Sequence, residues 1–170
     1  YKRQELTPGV NLVKLNITEP DGQVVERRFK YFMPSTLVTS KPISLIFEFH
    51  GSYEFKKDEL PSDPLEGLSK THALCQLATR ENCIVCFPAG EVVTQEDGSG
   101  AVNWQNSEKH LPFVDAMLDF FMTSSPSVDP LRVYSTGQSS GAIFSFVLAF
   151  YRSEKFAAIT PRAGQMNIDN

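Results

Sequence analysis

The residues best suited to chemistry are Gly137-Gln138-Ser139-Ser140-Gly141, a G-x-S-x-G pattern. A serine hydroxyl is a weak nucleophile and must be offered to its base in the open. A sharp strand-to-helix turn presents it so, and the flanking glycines leave room where any side chain would clash. The context fits: Val133-Tyr134-Ser135-Thr136 reads as a strand before the turn, and Ala142-Ile143-Phe144-Ser145-Phe146-Val147 opens an apolar helix after it. The second chemical feature is His50-Gly51-Ser52, at the end of another apolar strand. Acyl transfer to water needs two backbone N–H groups aimed at the developing oxyanion. Sites of this kind take one from the residue after the nucleophile, here Ser140, and one from an earlier strand-end loop, here Ser52.

Such a nucleophile needs a histidine base and an acid, and here the chain is poor. It holds three histidines, His50, His72 and His110, and none follows Ser139. His50 stands at a strand end, where it suits loop packing better than proton transfer. His72 falls within a predicted helix and His110 begins one, which suits surface or capping roles. Asp169, a few residues beyond the last predicted strand, is a weak candidate for the acid.

These groups must be held by a frame, and hydrophobic periodicity supplies one. Val10 to Ile17 and Val24 to Met33 read as two antiparallel strands around Glu19-Pro20-Asp21-Gly22, a turn with Asp-Gly at its tip. Ile43 to Phe49 and Cys83 to Phe87 are continuously apolar, as strands in the middle of a covered sheet are. A helix is predicted between Pro64 and Arg80, with Leu65, Leu68, Leu74, Leu77 and Ala78 as its apolar stripe. Glu91 to Asn103 reads as a polar loop. Leu111 to Met122 is predicted helical, with Phe113, Met117, Phe120 and Phe121 facing the sheet. Then come a strand over Arg132 to Thr136, a helix over Ala142 to Tyr151 and a short strand over Phe156 to Thr160. Two antiparallel strands followed by strands and helices in alternation imply an α/β sheet with helices on both faces. Such sheets put their chemistry at the carboxyl ends of the strands, where both features above fall.

Composition sets outer bounds. The 170 residues suit one domain, and 41% hydrophobic with 21% charged residues is the ordinary mixture of a globular protein. A net charge of −4 offers no basic field for nucleic acid or anionic membranes. No apolar run reaches the roughly 20 residues of a membrane span. The chain opens on Tyr1 rather than methionine, which reads as a processed product, an internal fragment or a deliberately trimmed chain. Cys83 and Cys86 lie in an apolar run and read as small buried hydrophobes; a bridge from Cys75 to one of them would leave an odd thiol. No second ligand pair accompanies them, so no metal site is expected, and no cofactor. Asn16-Ile17-Thr18 is an N-glycosylation sequon, relevant only to a secreted chain.

Together these pieces resemble the secreted esterase family of polyhydroxybutyrate depolymerases, feruloyl esterases and acetylxylan esterases. The resemblance rests on Phe47-Glu48-Phe49-His50-Gly51, Asn103-Trp104, Phe113-Val114-Asp115-Ala116-Met117, Val128-Asp129-Pro130-Leu131-Arg132-Val133-Tyr134, the Ser139 pentapeptide and Phe156-Ala157-Ala158-Ile159. These run in family order across residues 30 to 164. The resemblance implies an α/β-hydrolase fold: a mostly parallel sheet with an antiparallel N-terminal hairpin and the C-terminal strands missing. It implies an acyl-enzyme mechanism on carboxylic esters, with acid and histidine from later strand-end loops. Two departures stand out. The family usually continues His-Gly with more glycine, where this chain has Ser52-Tyr53-Glu54-Phe55. It usually carries acidic residues before the helix that follows the tryptophan, where this chain reads Ser107-Glu108-Lys109-His110-Leu111. The expectation is an ester hydrolase seen as a fragment, inactive alone, with a second chain over an open sheet edge. The alternative is an inactive relative kept as a binding or structural module; other chemistry on the same fold, transferases included, stays open.

Overall fold

The computed structural model describes residues 5–105, 107–125 and 127–166. β1 (Gly9–Thr18) and β2 (Val24–Met33) pair antiparallel in continuous register from Gly9↔Met33 to Thr18↔Val24. Gly22 takes φ 86° at the turn between them, a conformation that costs glycine little. β3 (Ile43–Phe49), β5 (Cys83–Pro88), β8 (Val128–Gln138) and β9 (Ala158–Arg162) run parallel to one another, giving a six-stranded sheet in the order β1-β2-β5-β3-β8-β9. Every residue of β5 is buried, as its unbroken apolar run requires of a strand covered on both faces.

Helices lie on both faces. α2 (Leu111–Ser124) and α3 (Ser140–Tyr151) cover one, where Phe113, Met117, Phe121 and Phe144 join Phe29, Phe47 and Phe49 in one cluster. α1 (Ala73–Arg80) covers part of the other with Cys75 and Ala78 against Phe32, Val85 and Phe87. α3 is apolar around most of its circumference and leaves Ile143, Phe150 and Tyr151 exposed.

Three expectations need correction. The helix predicted between Pro64 and Arg80 is confined to Ala73–Arg80. Asp63 accepts from the Leu65 amide through Oδ1 and Gly67 takes φ 71°, so local turns win over helix there. Leu65 still enters the α1-side core, 1% exposed. The predicted loop 91–103 contains a hairpin, β6 (Glu91–Thr94) and β7 (Gly100–Asn103), turning through Asp97-Gly98. With β4 (Tyr53–Phe55) these strands make a second sheet in the order β4-β7-β6. Finally, β8 starts four residues earlier than expected, with an irregularity in its pairing to β3 between Ile43 and Leu45.

Candidate active site

β8 runs into α3 through one residue, Ser139, at φ 52° and ψ −117°. This is a strained region for a side-chain-bearing residue, costing about 1–3 kcal/mol. Close packing holds it there. A Cβ at Gly137 would overlap the Gly141 backbone and lie 2.9 Å from Phe49 O; one at Gly141 would overlap Phe49 O and lie 2.6 Å from His50 O. Only glycines let the turn press onto the end of β3. Ser139 N–H donates to Arg162 O at 3.0 Å, and Ser139 O accepts from Ala142 and Ile143 at 3.0 and 3.1 Å. The Ser139 side chain is left on the surface, with Gln138 exposed beside it.

The loop after β3 stands next to it. A Cβ at Gly51 would lie 3.5 Å from the Ser139 Cβ and 3.4 Å from Gln138 O, ordinary contact distances. Ser140 is the first residue of α3, so its N–H belongs to the unpaired first turn that carries the positive end of the helix dipole. Among the described residues, two buried side-chain oxygens lack a hydrogen-bond partner, Ser140 Oγ and Glu48 Oε2. Glu48 pairs with Arg162 through its other oxygen. Burial pushes its carboxyl above the ordinary carboxylate range, with Arg162 opposing.

Two of the three histidines are held at both ring nitrogens. His50 is committed at both nitrogens: Nδ1 bonds Gly51 O, and Nε2 accepts from Gly90 N–H at 2.8 Å. Burial lowers its pKa, against the opposing bond to Gly51. His72 is not inside α1 but is its N-cap. Its Nδ1 accepts from the Leu74 amide at 3.3 Å, and its ring lies edge-on to Phe87. His110 corrects the expectation of a surface or capping role: it is 0% exposed and makes no side-chain cap bond. Its Nδ1 faces Arg27 Nη1 at 3.1 Å and its Nε2 faces Gln105 O at 2.9 Å. Burial first, then the Arg27 guanidinium, holds its pKa down to about 4. Asp169 lies outside the described residues.

Residues the sequence reading did not assign to the site brace it from behind. Trp104 Nε1–H donates to His50 O at 3.0 Å while its ring stacks on Phe144 of α3. Its place in the Asn103-Trp104 motif was the only signal. Gly90 and Arg27 carried none, because their partners lie 40 and 83 positions away. Ser52 is exposed, and the Tyr53 ring packs beside that of His50 at 5.3 Å. The three cysteines are buried and free. No group of three or more metal-ligating side chains occurs among the described residues. No helix among them is long and apolar enough to cross a membrane.

The strand order, the β3 loop and the tight turn at Ser139 together decide the architecture. This is the α/β-hydrolase fold. Solved structures agree: acetyl xylan esterase from Aspergillus awamori matches with a TM-score of 0.59 and 20% identity, over 92% of this chain and 53% of that one. Oligopeptidase B from Trypanosoma brucei matches at 0.52 and 16%, over 89% of this chain and 20% of that one. Esterase and peptidase share the frame, so these likenesses carry the fold and not the reaction. In sequence, the chain is 28% identical over 139 residues to a bifunctional acetylxylan esterase/xylanase of Neocallimastix patriciarum. That match covers 81% of this chain and 18% of the relative, and it bears out the resemblance to acetylxylan esterases. The chain spans about half the length of the Aspergillus enzyme, 53%. No protein-family model matches it.

Proposed function

We propose that the chain carries the nucleophile and oxyanion half of a serine carboxylic-ester hydrolase. The observation that supports this best is Ser139 itself: exposed, at positive φ, between glycines that admit no side chain, and against Gly51. Ser139 Oγ attacks the ester carbonyl and the C=O π electrons move onto oxygen. The N–H groups of Ser140 and Ser52 hold that oxyanion. Its collapse expels the alcohol and leaves an acyl-serine, which water then cleaves to acid and free serine. The base that takes the serine proton and returns it to the alcohol comes from polypeptide outside these 170 residues: His50 and His110 are held at both ring nitrogens, and His72 caps α1 through Nδ1. Its acid partner is either Asp169 or a residue that arrives with the base. The same polypeptide, or a second chain, covers the sheet margin at β9 and the exposed apolar residues of α3.

Acetyl esters of a plant polysaccharide are the substrate class that the named relatives support. Secretion follows from this reading, and with it glycosylation at Asn16, which is exposed on the outer strand β1.

A non-catalytic module is the competing reading, favoured by Tyr53 directly after Ser52 and by the commitment of His50 and His110 at both ring nitrogens. Kinetics on p-nitrophenyl acetate separate the two. The full-length protein turns over and Ser139→Ala abolishes turnover, whereas the 170-residue chain stays near background because triad members act as a unit. A full-length protein with an acid and a histidine in place that still fails to hydrolyse short acyl esters supports the module.

A further inference from the structure

The hydrogen bonds of His50 determine more than its own protonation. Gly90 N–H is a donor, so Nε2 must be the unprotonated nitrogen, and the proton of a neutral ring then sits on Nδ1, donating to Gly51 O. The imidazole is thereby a single tautomer with both nitrogens used. Packing adds to these bonds. Tyr53 and Trp104 flank it at 5.3 Å each, and Trp104 Nε1–H ties down its own carbonyl. Gly90 can approach only as glycine: a Cβ there would stand 2.5 Å from Asn103 O and 3.0 Å from His50 Cε1.

The peptide that His50 grips through Gly51 O is the one whose nitrogen belongs to Ser52. No peptide bond among the described residues is cis. In a trans unit the C=O and N–H point in opposite directions within one plane. A carbonyl turned onto the imidazole therefore sends the Ser52 N–H the other way. We propose that His50 is a positioning residue for the oxyanion: its Nδ1–H bond to Gly51 O fixes the plane of the Gly51–Ser52 peptide and so aims the Ser52 N–H at the reacting carbonyl. Released from that bond, the Gly51–Ser52 peptide can rotate and present a carbonyl oxygen where a donor is needed. The adjacent glycine makes such a rotation cheap. Burial, which holds the imidazole below its ordinary pKa, keeps the ring in the neutral form that this arrangement requires. His50 exchanges no proton with substrate and touches no reacting atom.

The kinetic arm of the test rests on the esterase reading; the spectroscopic arm does not. Asparagine at position 50 keeps an N–H at the δ position for Gly51 O and loses the acceptor for Gly90. Glutamine keeps an acceptor at the ε position for Gly90 and loses the donor to Gly51. Each substitution removes one bond, but only glutamine frees the peptide. In the full-length protein, His50→Gln lowers kcat for p-nitrophenyl acetate about 10²–10³-fold, the usual effect of losing one oxyanion donor. KM stays within about twofold, since the interaction is made in the transition state. His50→Asn stays within about tenfold of wild-type kcat on the same reasoning. Losses that are equal in the two variants and follow their thermal stability, or a larger loss in His50→Asn, overturn the proposal.

Long-range ¹H–¹⁵N spectra of the wild-type full-length protein decide the same point where variants fail to fold. At neutral pH the His50 ring is neutral with its proton on Nδ1. A proton on Nε2, or on both nitrogens, overturns the proposal. A full-length wild type without esterase activity defeats the esterase reading, and the tautomer then stands as the deciding measurement for the His50 lock.

Discussion

Acidification tests the buried His110 directly. The ring is fully enclosed, between Trp104 at 5.3 Å and Phe144 at 5.7 Å, with Nδ1 accepting from Arg27 and Nε2–H donating to Gln105 O. A second proton turns Nδ1 from acceptor to donor in front of a guanidinium that is itself buried. Its folded-state pKa is about 4 against an ordinary 6.5. Because the folded value is depressed, the unfolded chain binds the proton first. The stabilisation is complete above about pH 6.5 and is lost as the pH falls toward 4. That gap corresponds to about 3 kcal/mol, an order-of-magnitude figure that is a large share of a small domain's stability. Urea unfolding of the wild type and of His110→Asn, followed from pH 7 down to pH 4, isolates this contribution. Asparagine can accept from Arg27 but does not titrate, while the carboxylates, His50 and His72 titrate alike in both proteins. The wild type starts the more stable, and its advantage shrinks by about 3 kcal/mol across the window. Two curves that stay parallel would refute the assignment of a neutral, buried His110.

Two further expectations concern the packing around the site. Gly141→Ala places a Cβ into Phe49 O and His50 O, main-chain atoms that cannot rotate away, so it destabilises the chain by about 3 kcal/mol or more in chemical unfolding. An unchanged midpoint would mean the turn is looser than its geometry indicates. Cys75, Cys83 and Cys86 are enclosed, and burial pushes the first two thiols up to about 11 and Cys86 well above its ordinary value. Ellman's reagent at pH 8 therefore titrates none of them in the native chain and all three in denaturant; fast native labelling would contradict their burial.

The parts of this molecule legible in its sequence are those whose physics is local. Alternation along Val24 to Met33 and the Asp-Gly tip specify the β1–β2 hairpin. The unbroken run Cys83 to Phe87 specifies a strand covered on both sides, and Gly137 and Gly141 mark a backbone approach that no other residue permits. The β6–β7 hairpin carried the same Asp-Gly signal at Asp97-Gly98, but its strands are only four residues long, too short for their alternation to stand out. The start of α1 was misread because Leu65 and Leu68 belong to the core without belonging to a helix. His110 reads as a surface or capping residue because it begins a predicted helix. It is enclosed by Trp104 and Phe144 and paired with Arg27, the last two 34 and 83 positions away, and pairings over such distances leave no mark on a single sequence. The commitment of His50 to Gly51 and Gly90 was hidden for the same reason. A strand end was visible; the amide that reaches it from the loop after β5 was not.

The central claim is that Ser139 is a catalytic nucleophile, and covalent capture tests it most directly. The full-length protein is treated with a fluorophosphonate and digested, and the adduct is mapped by mass spectrometry. The account predicts one adduct, on Ser139, that is absent in Ser139→Ala and after unfolding. The 170-residue chain alone should label only weakly, since the proposed base lies outside it. A folded full-length protein that carries an acid and a histidine in its remaining sequence, yet leaves Ser139 unlabelled, would contradict the account.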